Sequence, residues 1–236
     1  MPCSTITNTP SFLLMGDSHA GAIGKAARAE NVPFCGGPIG SGREFNVDFF
    51  DIEGGDIVFR KAEANRFYRG FLDELGVSRI GELSIPVVAT FGFSVHFFAT
   101  RENWGIYRVA SDAFEPGFLG GRLFEEIICE MARDALGFYR HLRALGLRVI
   151  AALPPQRVPA LSDAEVFVAA QEVLRRRLEA MGVEVVDVRP GVLDDTGFLR
   201  AELCESNDPI HGNVAFGKIV LGGILERCRA DRQAMS

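Results

Sequence analysis

Two short motifs near opposite ends of the chain hold residue types that can do chemistry together. Gly16-Asp17-Ser18-His19-Ala20 follows a short apolar run, and Asp208-Pro209-Ile210-His211-Gly212-Asn213 precedes the last helical stretch. A serine hydroxyl attacks a carbonyl poorly unless a base removes its proton, and histidine is the usual base near neutral pH. A carboxylate three residues before a histidine, across a proline-containing turn, can reach Nδ1 and fix the tautomer. Ser18 stands where a strand passes into a helix, so free backbone N–H groups beside it can stabilise an oxyanion. Each motif also has a plainer reading. Asp17 and Ser18 suit a helix cap, and His211 suits a turn histidine before the final helix.

The elements that must position these residues follow from the hydrophobic pattern. The chain has 236 residues, of which 47% are apolar and 24% charged, enough to bury a sizeable core without a metal or disulfide staple. Short apolar runs alternate with stretches of helical period, the pattern of βαβ units and a mostly parallel sheet. Candidate strands are Phe12–Met15, Val32–Cys35, Pro86–Phe91, Leu147–Leu153 and Val183–Val188. Each is nearly all apolar, as strands covered on both faces are. The candidate helices begin with Gly21–Glu30. A long amphipathic segment runs from Phe124 to Leu145, and Ser162–Met181 has Ser162 as N-cap with Glu165 three residues on. Gly146 and Gly182 are natural helix stops, and a last helix starts near Val214 and runs to Arg229. Residues 48–60 break the rhythm. The run Glu53-Gly54-Gly55-Asp56 between β-rich pieces predicts an inserted hairpin, appended to the domain or capping it. Residues 1–236 read as one domain.

Together the two motifs resemble the SGNH/GDSL hydrolase family, whose first block is Gly-Asp-Ser and whose last is Asp-x-x-His. The resemblance covers nearly the whole chain in strand order and block position. It implies a three-layer α/β/α flavodoxin-like fold with a central parallel sheet of about five strands. It also implies Ser18 as nucleophile, with Asp208 and His211 as its partners. The family's second block is a glycine after the second strand. Gly36-Gly37-Pro38-Ile39-Gly40-Ser41-Gly42 lies there, with Gly42 as the implied backbone donor to the oxyanion, beside Ser18 N–H, and Gly40 close behind. The third block, Gly-x-Asn-Asp, reads here Phe91-Gly92-Phe93-Ser94-Val95-His96, without the asparagine. Ser94 occupies the matching position, and Ser94 or His96 is the candidate replacement donor. The Gly-Asp-Ser-His-Ala form looks like SGNH domains attached to membrane acyltransferases that decorate sugars, which implies His19 as a residue facing the substrate; a solvated first-turn histidine is the plainer reading. The implied activity is hydrolysis of O-acyl esters, foremost O-acetyl esters on carbohydrate, through an acyl-serine. An O-acyltransferase would use the same residues, and a catalytically weak SGNH-fold binding module is the reading that the missing asparagine raises.

Other classes find less support. The charge balance of 25 basic against 31 acidic residues, net −6, disfavours nucleic acid and anionic membrane surfaces. The run Arg175-Arg176-Arg177 sits inside an amphipathic helix and reads as a solvated face. No Gly-Lys-Ser/Thr completes a P-loop, and no Gly-x-Ser-x-Gly elbow surrounds any serine. His96 and His141 have no ligand-spaced partners. The cysteines at 3, 35, 129, 204 and 228 form no CxxC pair, so neither a metal nor a disulfide framework is expected. No cofactor is implied. The N-terminus lacks a signal-type pattern and no run approaches a membrane span, so a cytoplasmic setting and a small-molecule or glycan ester substrate are expected.

Overall fold

A computed structural model describes residues 9–109 and 111–234; Cys3 and the polar stretch before Thr9 lie outside them. The chain runs β1 (Leu13–Gly16), α1 (Ala20–Ala29), β2 (Cys35–Pro38), β3 (Phe50–Glu53), β4 (Asp56–Phe59) and α2 (Ala62–Glu74). It continues through β5 (Val87–Ala89), α3 (Arg101–Trp104), α4 (Arg122–Met131), α5 (Arg133–Ala144), β6 (Val149–Ala152) and α6 (Ala164–Ala180). It ends with β7 (Glu184–Val186), α7 (Arg189–Val192) and α8 (Val214–Ala234). Five strands form one parallel sheet in the order β2-β1-β5-β6-β7. Counted among the core strands this is 2-1-3-4-5, the flavodoxin-like order. Its switch point lies between β1 and β5, and ligands bind there beyond the carboxyl ends of the strands.

The period of two along the strands divides the core into two layers. Leu13, Met15, Val87, Ala89, Val149 and Ala151 face a cluster built from α2, α4, α5 and α6. Phe12, Leu14, Val88, Ile150 and Ala152 face the other side, against α1 and α8. Helices on both faces of an all-parallel sheet make the three-layer α/β/α fold. Among the described residues no helix is long and apolar enough to cross a membrane.

α1 and α8 touch unusually closely. A Cβ on Gly217 would stand 2.2 Å from the carbonyl oxygen of Ala22, so only glycine lets the two backbones meet there. That contact brings the start of α8, and the loop before it, beside the start of α1. The two ends of the chain that carry the reactive residues are thereby joined.

Several elements differ from the expectation. The second strand is Cys35–Pro38, not Val32–Cys35. Residues 31–34 are used in leaving α1, with Asn31 at φ +53° and Val32 N–H donating to Ala27 O. The strand itself pairs with β1 through glycine: at Gly36 (φ +97°) a Cβ would lie 2.1 Å from Leu14 O. A pattern based on apolar side chains cannot register such a strand. The long amphipathic segment is two helices broken at Ala132 (φ −107°, ψ 16°), and the apolar stripe continues on both sides of the break. The N-cap of α6 is Asp163, whose carboxylate accepts from Val166 N–H, because Ser162 is drawn into a bridge with Thr100. α2 was not among the expected helices, although Ala64, Tyr68 and Leu72 repeat at four residues and are its buried face.

The hairpin exists as β3 and β4, a separate antiparallel sheet outside the five-stranded one. It is not an appended cap. Ile57 and Phe59 are buried in the main core, and the Phe59 ring meets Tyr68, Phe91 and Phe138 at centroid distances of 5.3, 6.2 and 6.4 Å. Asp56, buried beside the Gly54-Gly55 turn, accepts hydrogen bonds from Tyr68 Oη (2.7 Å) and Ile80 N–H (3.1 Å). The inward aromatic residues make the insertion part of the fold.

Candidate active site

The site is assembled where β1 and β5 end. Asp17 follows β1 and is fully buried. Its Oδ1 accepts from Thr90 Oγ1 (2.9 Å) and from His19 N–H (3.0 Å), and its Oδ2 accepts from Ser94 Oγ (2.7 Å). Thr90 Oγ1 also accepts from Asp17 N–H at 3.2 Å. A carboxylate is an acceptor-only group, and these donors fasten the first turn of α1 to the segment that follows β5. Ser18 is carried on that first turn, half-buried, with Ala20 N–H donating to Asp17 O and Gly21 N–H to Ser18 O.

The structure brings Ser18 together with His211, 193 positions away, and with Asp208 behind it. Ser18 Oγ lies 2.7 Å from His211 Nε2, and His211 Nδ1 lies 2.7 Å from Asp208 Oδ2. Because the carboxylate can only accept, the ring proton sits on Nδ1 and Nε2 is left to accept the serine proton. Asp208 Oδ1 accepts from Ile210 N–H (2.8 Å) and His211 N–H (2.7 Å), closing the Asp-Pro-Ile-His turn. Burial opposes ionisation of Asp208, but the Ile210 N–H and the His211 ring and N–H outweigh it and hold the carboxyl at about 2. The carboxylate therefore stays charged at any pH where the serine could react.

The loop carrying this pair is held from three sides. Glu205 N–H (3.0 Å) and Arg157 Nη1 (2.5 Å) donate to His211 O. Asn213 Nδ2 donates to Glu202 O and Cys204 O, while its Oδ1 accepts from Ala215 N–H and Phe216 N–H and caps α8. Thr90, Arg157 and Asn213 were not singled out from sequence. Asn213 closes the Asp208-Pro209-Ile210-His211-Gly212-Asn213 motif with a cap-type side chain, whereas Thr90 and Arg157 are distant in sequence and carry no local signal.

The remaining expected residues are placed less uniformly. Gly42 is buried and opens a 3₁₀ turn, Gly42–Phe45, where first-turn N–H groups have no intrahelical partner. A Cβ there would lie 2.2 Å from Ser94 Oγ and 3.3 Å from Asp17 Oδ2, so its backbone reaches the base of the site. Gly40 packs on its own turn, against Glu44 and Phe45. Ser94 differs from the expectation: its hydroxyl proton is committed to Asp17 and is not free for an oxyanion. His96 is half-buried in the 3₁₀ turn Val95–Phe97, and burial, helped by the nearby His19, pushes it down to about 4. His19 is buried beside His211, with ring centroids 4.9 Å apart.

A cleft of about 250 Å³ opens on Ser18, lined among others by His19, Lys25, Glu205, His211 and Phe216. Among the described residues no group of three or more His, Cys, Asp or Glu side chains could hold a metal ion. What the arrangement can do is move a proton from a serine hydroxyl to a carboxylate-oriented imidazole at a switch-point cleft.

A flavodoxin-like sheet with this line of side chains at its switch point has the fold of the SGNH/GDSL hydrolases. Along 92% of its length the chain superposes on 98% of a G-D-S-L family protein from Desulfitobacterium hafniense, with a TM-score of 0.52 and 7% identity. A GDSL-like lipase from Bacteroides thetaiotaomicron (TM-score 0.48, 14% identity, 93% of this chain and 88% of that one) is less similar in shape. So is a lipase/acylhydrolase from Enterococcus faecalis (TM-score 0.48, 12% identity, 94% and 96%), and neither adds to the assignment. No protein-family model and no curated protein matches the sequence.

Proposed function

We propose that the protein is a serine esterase of the SGNH type, which hydrolyses O-acyl esters, foremost O-acetyl esters on carbohydrate, through an acyl-serine. The observation that carries this reading is the continuous line Ser18 Oγ–His211–Asp208, with both contacts at 2.7 Å. Ser18 Oγ attacks the ester carbonyl as His211 Nε2 takes its proton, and Asp208 stabilises the imidazolium. In this reading the backbone N–H groups of Ser18 and Gly42 donate to the oxygen that gains charge. Collapse of the tetrahedral intermediate breaks the bond to the alcohol, which leaves with the proton from His211. Water then repeats the sequence against the acyl-serine and releases the acid. The small cleft suits a short acyl group, and Lys25 and Glu205 at its wall suit a hydroxyl-rich alcohol.

The test is covalent labelling with a fluorophosphonate, run beside acetate release from an acetylated oligosaccharide. Wild type is expected to label at Ser18 and to release acetate; Ser18→Ala is expected to do neither while keeping its fold. His211→Ala should cost nearly as much as Ser18→Ala, and Asp208→Asn less, because triad members act as a unit. A wild type that neither labels nor turns over any ester refutes the proposal.

A further inference from the structure

His19 is an ionisable group at the site that the acyl-serine cycle above does not use. It follows Ser18 directly, is only 8% exposed, and lines the same cleft as Ser18 and His211. Its ring is tilted 48° to that of His211, at 4.9 Å between centroids. Its Nδ1 is buried and has no hydrogen-bond partner. Burial lowers the affinity of the ring for a second proton; Asp17 opposes this, His211 adds to it, and Asp208 opposes it. Burial is the largest of these effects, so the site favours the neutral ring.

A neutral imidazole has one N–H and one lone pair, and which nitrogen holds the proton is decided by surroundings. Orphaned buried N–H groups are rarer than under-satisfied acceptors along the backbone, and a ring N–H buried without a partner carries the same kind of desolvation cost. The buried, partnerless Nδ1 is thus the lone-pair nitrogen, and the proton belongs on Nε2. An N–H donor consequently stands at the cleft next to the nucleophile. The hole for the carbonyl oxygen lacks a side-chain donor of this kind. Ser94, at the position where a side-chain amide would be expected, spends its hydroxyl proton on Asp17.

We infer that His19, as a neutral Nε2–H imidazole, is a catalytic hydrogen-bond donor to the ester carbonyl oxygen, supplementing the N–H groups of Ser18 and Gly42. The inference rests on the acyl-serine reading. Neutrality matters to this role, because a cation 4.9 Å from His211 would oppose the imidazolium that must form there. The groups facing His19 are Asp17, Asp208, His211 and His96, and His96 is itself held neutral.

The experiment measures hydrolysis of 4-nitrophenyl acetate by wild type, Ser18→Ala, His19→Leu and His19→Gln, with the melting temperature of each. Ser18-dependent turnover tests the underlying reading first; without it that reading falls, and this inference with it. Given such turnover, His19→Leu is expected to lower kcat roughly 10²- to 10³-fold, the effect of losing one oxyanion donor, with KM changed little. His19→Gln keeps a side-chain N–H and should recover at least about tenfold of that loss. A His19→Leu enzyme within about threefold of wild-type kcat overturns the inference. So does a Gln variant that folds but is as slow as Leu, which would mark a packing role. Nitrogen NMR of the wild-type imidazole is independent of any variant: a proton on Nε2 supports the assignment, and a proton on Nδ1 overturns it.

Discussion

Replacing Ser94 by alanine removes one oxygen, and two accounts of that oxygen forecast different results. The hydroxyl donates at 2.7 Å to Oδ2 of Asp17, deep below the cleft, while Thr90 Oγ1 and His19 N–H both serve Oδ1. Ser94→Ala therefore leaves Oδ2 of a fully buried carboxylate without its donor. A buried hydrogen bond to a charged acceptor contributes about 1.5–3 kcal/mol, so a loss of about 2 kcal/mol is expected. In a chain of this size each kcal/mol moves Tm by roughly 2–4 °C, which puts the fall at about 4–8 °C. Thermal unfolding followed by circular dichroism reads this directly. Turnover should fall much less than for loss of an oxyanion donor, because Ser94 acts on the substrate only through the turn that Asp17 holds. Were Ser94 instead the donor to the oxyanion, kcat would drop roughly 10²- to 10³-fold with Tm unmoved. That second pattern would refute the assignment of Ser94 to Asp17.

Gly42→Ala should reduce kcat about 10²-fold, as measured on an acetyl ester, because its Cβ would fall 2.2 Å from Ser94 Oγ and push the Gly42 N–H away from the site. Unchanged kcat would mean that this N–H is not a donor. Phe59→Ala should destabilise by about 3–5 kcal/mol in chemical denaturation, since the ring is packed among Tyr68, Phe91 and Phe138. A loss below about 1 kcal/mol would mean that the hairpin is an appendage after all. His96 titrates at about 4 in the fold, chiefly through burial, against the ordinary 6.5. As pH falls, the unfolded chain takes up this proton first, so stability is full above about 6.5 and is lost from there toward 4. His96→Phe should flatten the dependence of Tm on pH in that window; an unchanged slope there argues against the buried neutral ring.

The sequence alone determined the parts of this protein whose causes are local. Alternating apolar runs and helical periods specify a parallel α/β sheet, because strands covered on both faces must be apolar throughout. The Asp-Pro-Ile-His turn is equally local: its carboxylate bonds the backbone and ring within three residues, so Asp208 and His211 could be paired on spacing. Gly-Asp-Ser at a strand-to-helix junction likewise marked Ser18. Tertiary structure decided the rest, wherever a residue's partner is far along the chain or is backbone. The glycine strand β2 exists because Leu14 leaves no room for a Cβ, and the two motifs meet because Gly217 lets α8 rest on Ala22. Ser94 looked like a substitute donor until the fold set it against Asp17, 77 residues away. The inserted hairpin reads as an appendage in the sequence, and only the fold places its aromatic residues in the core. A pattern of side chains records which face of an element is buried, but not what it is buried against. Only the packed fold supplies the partner, and with it the chemistry each side chain is free to do.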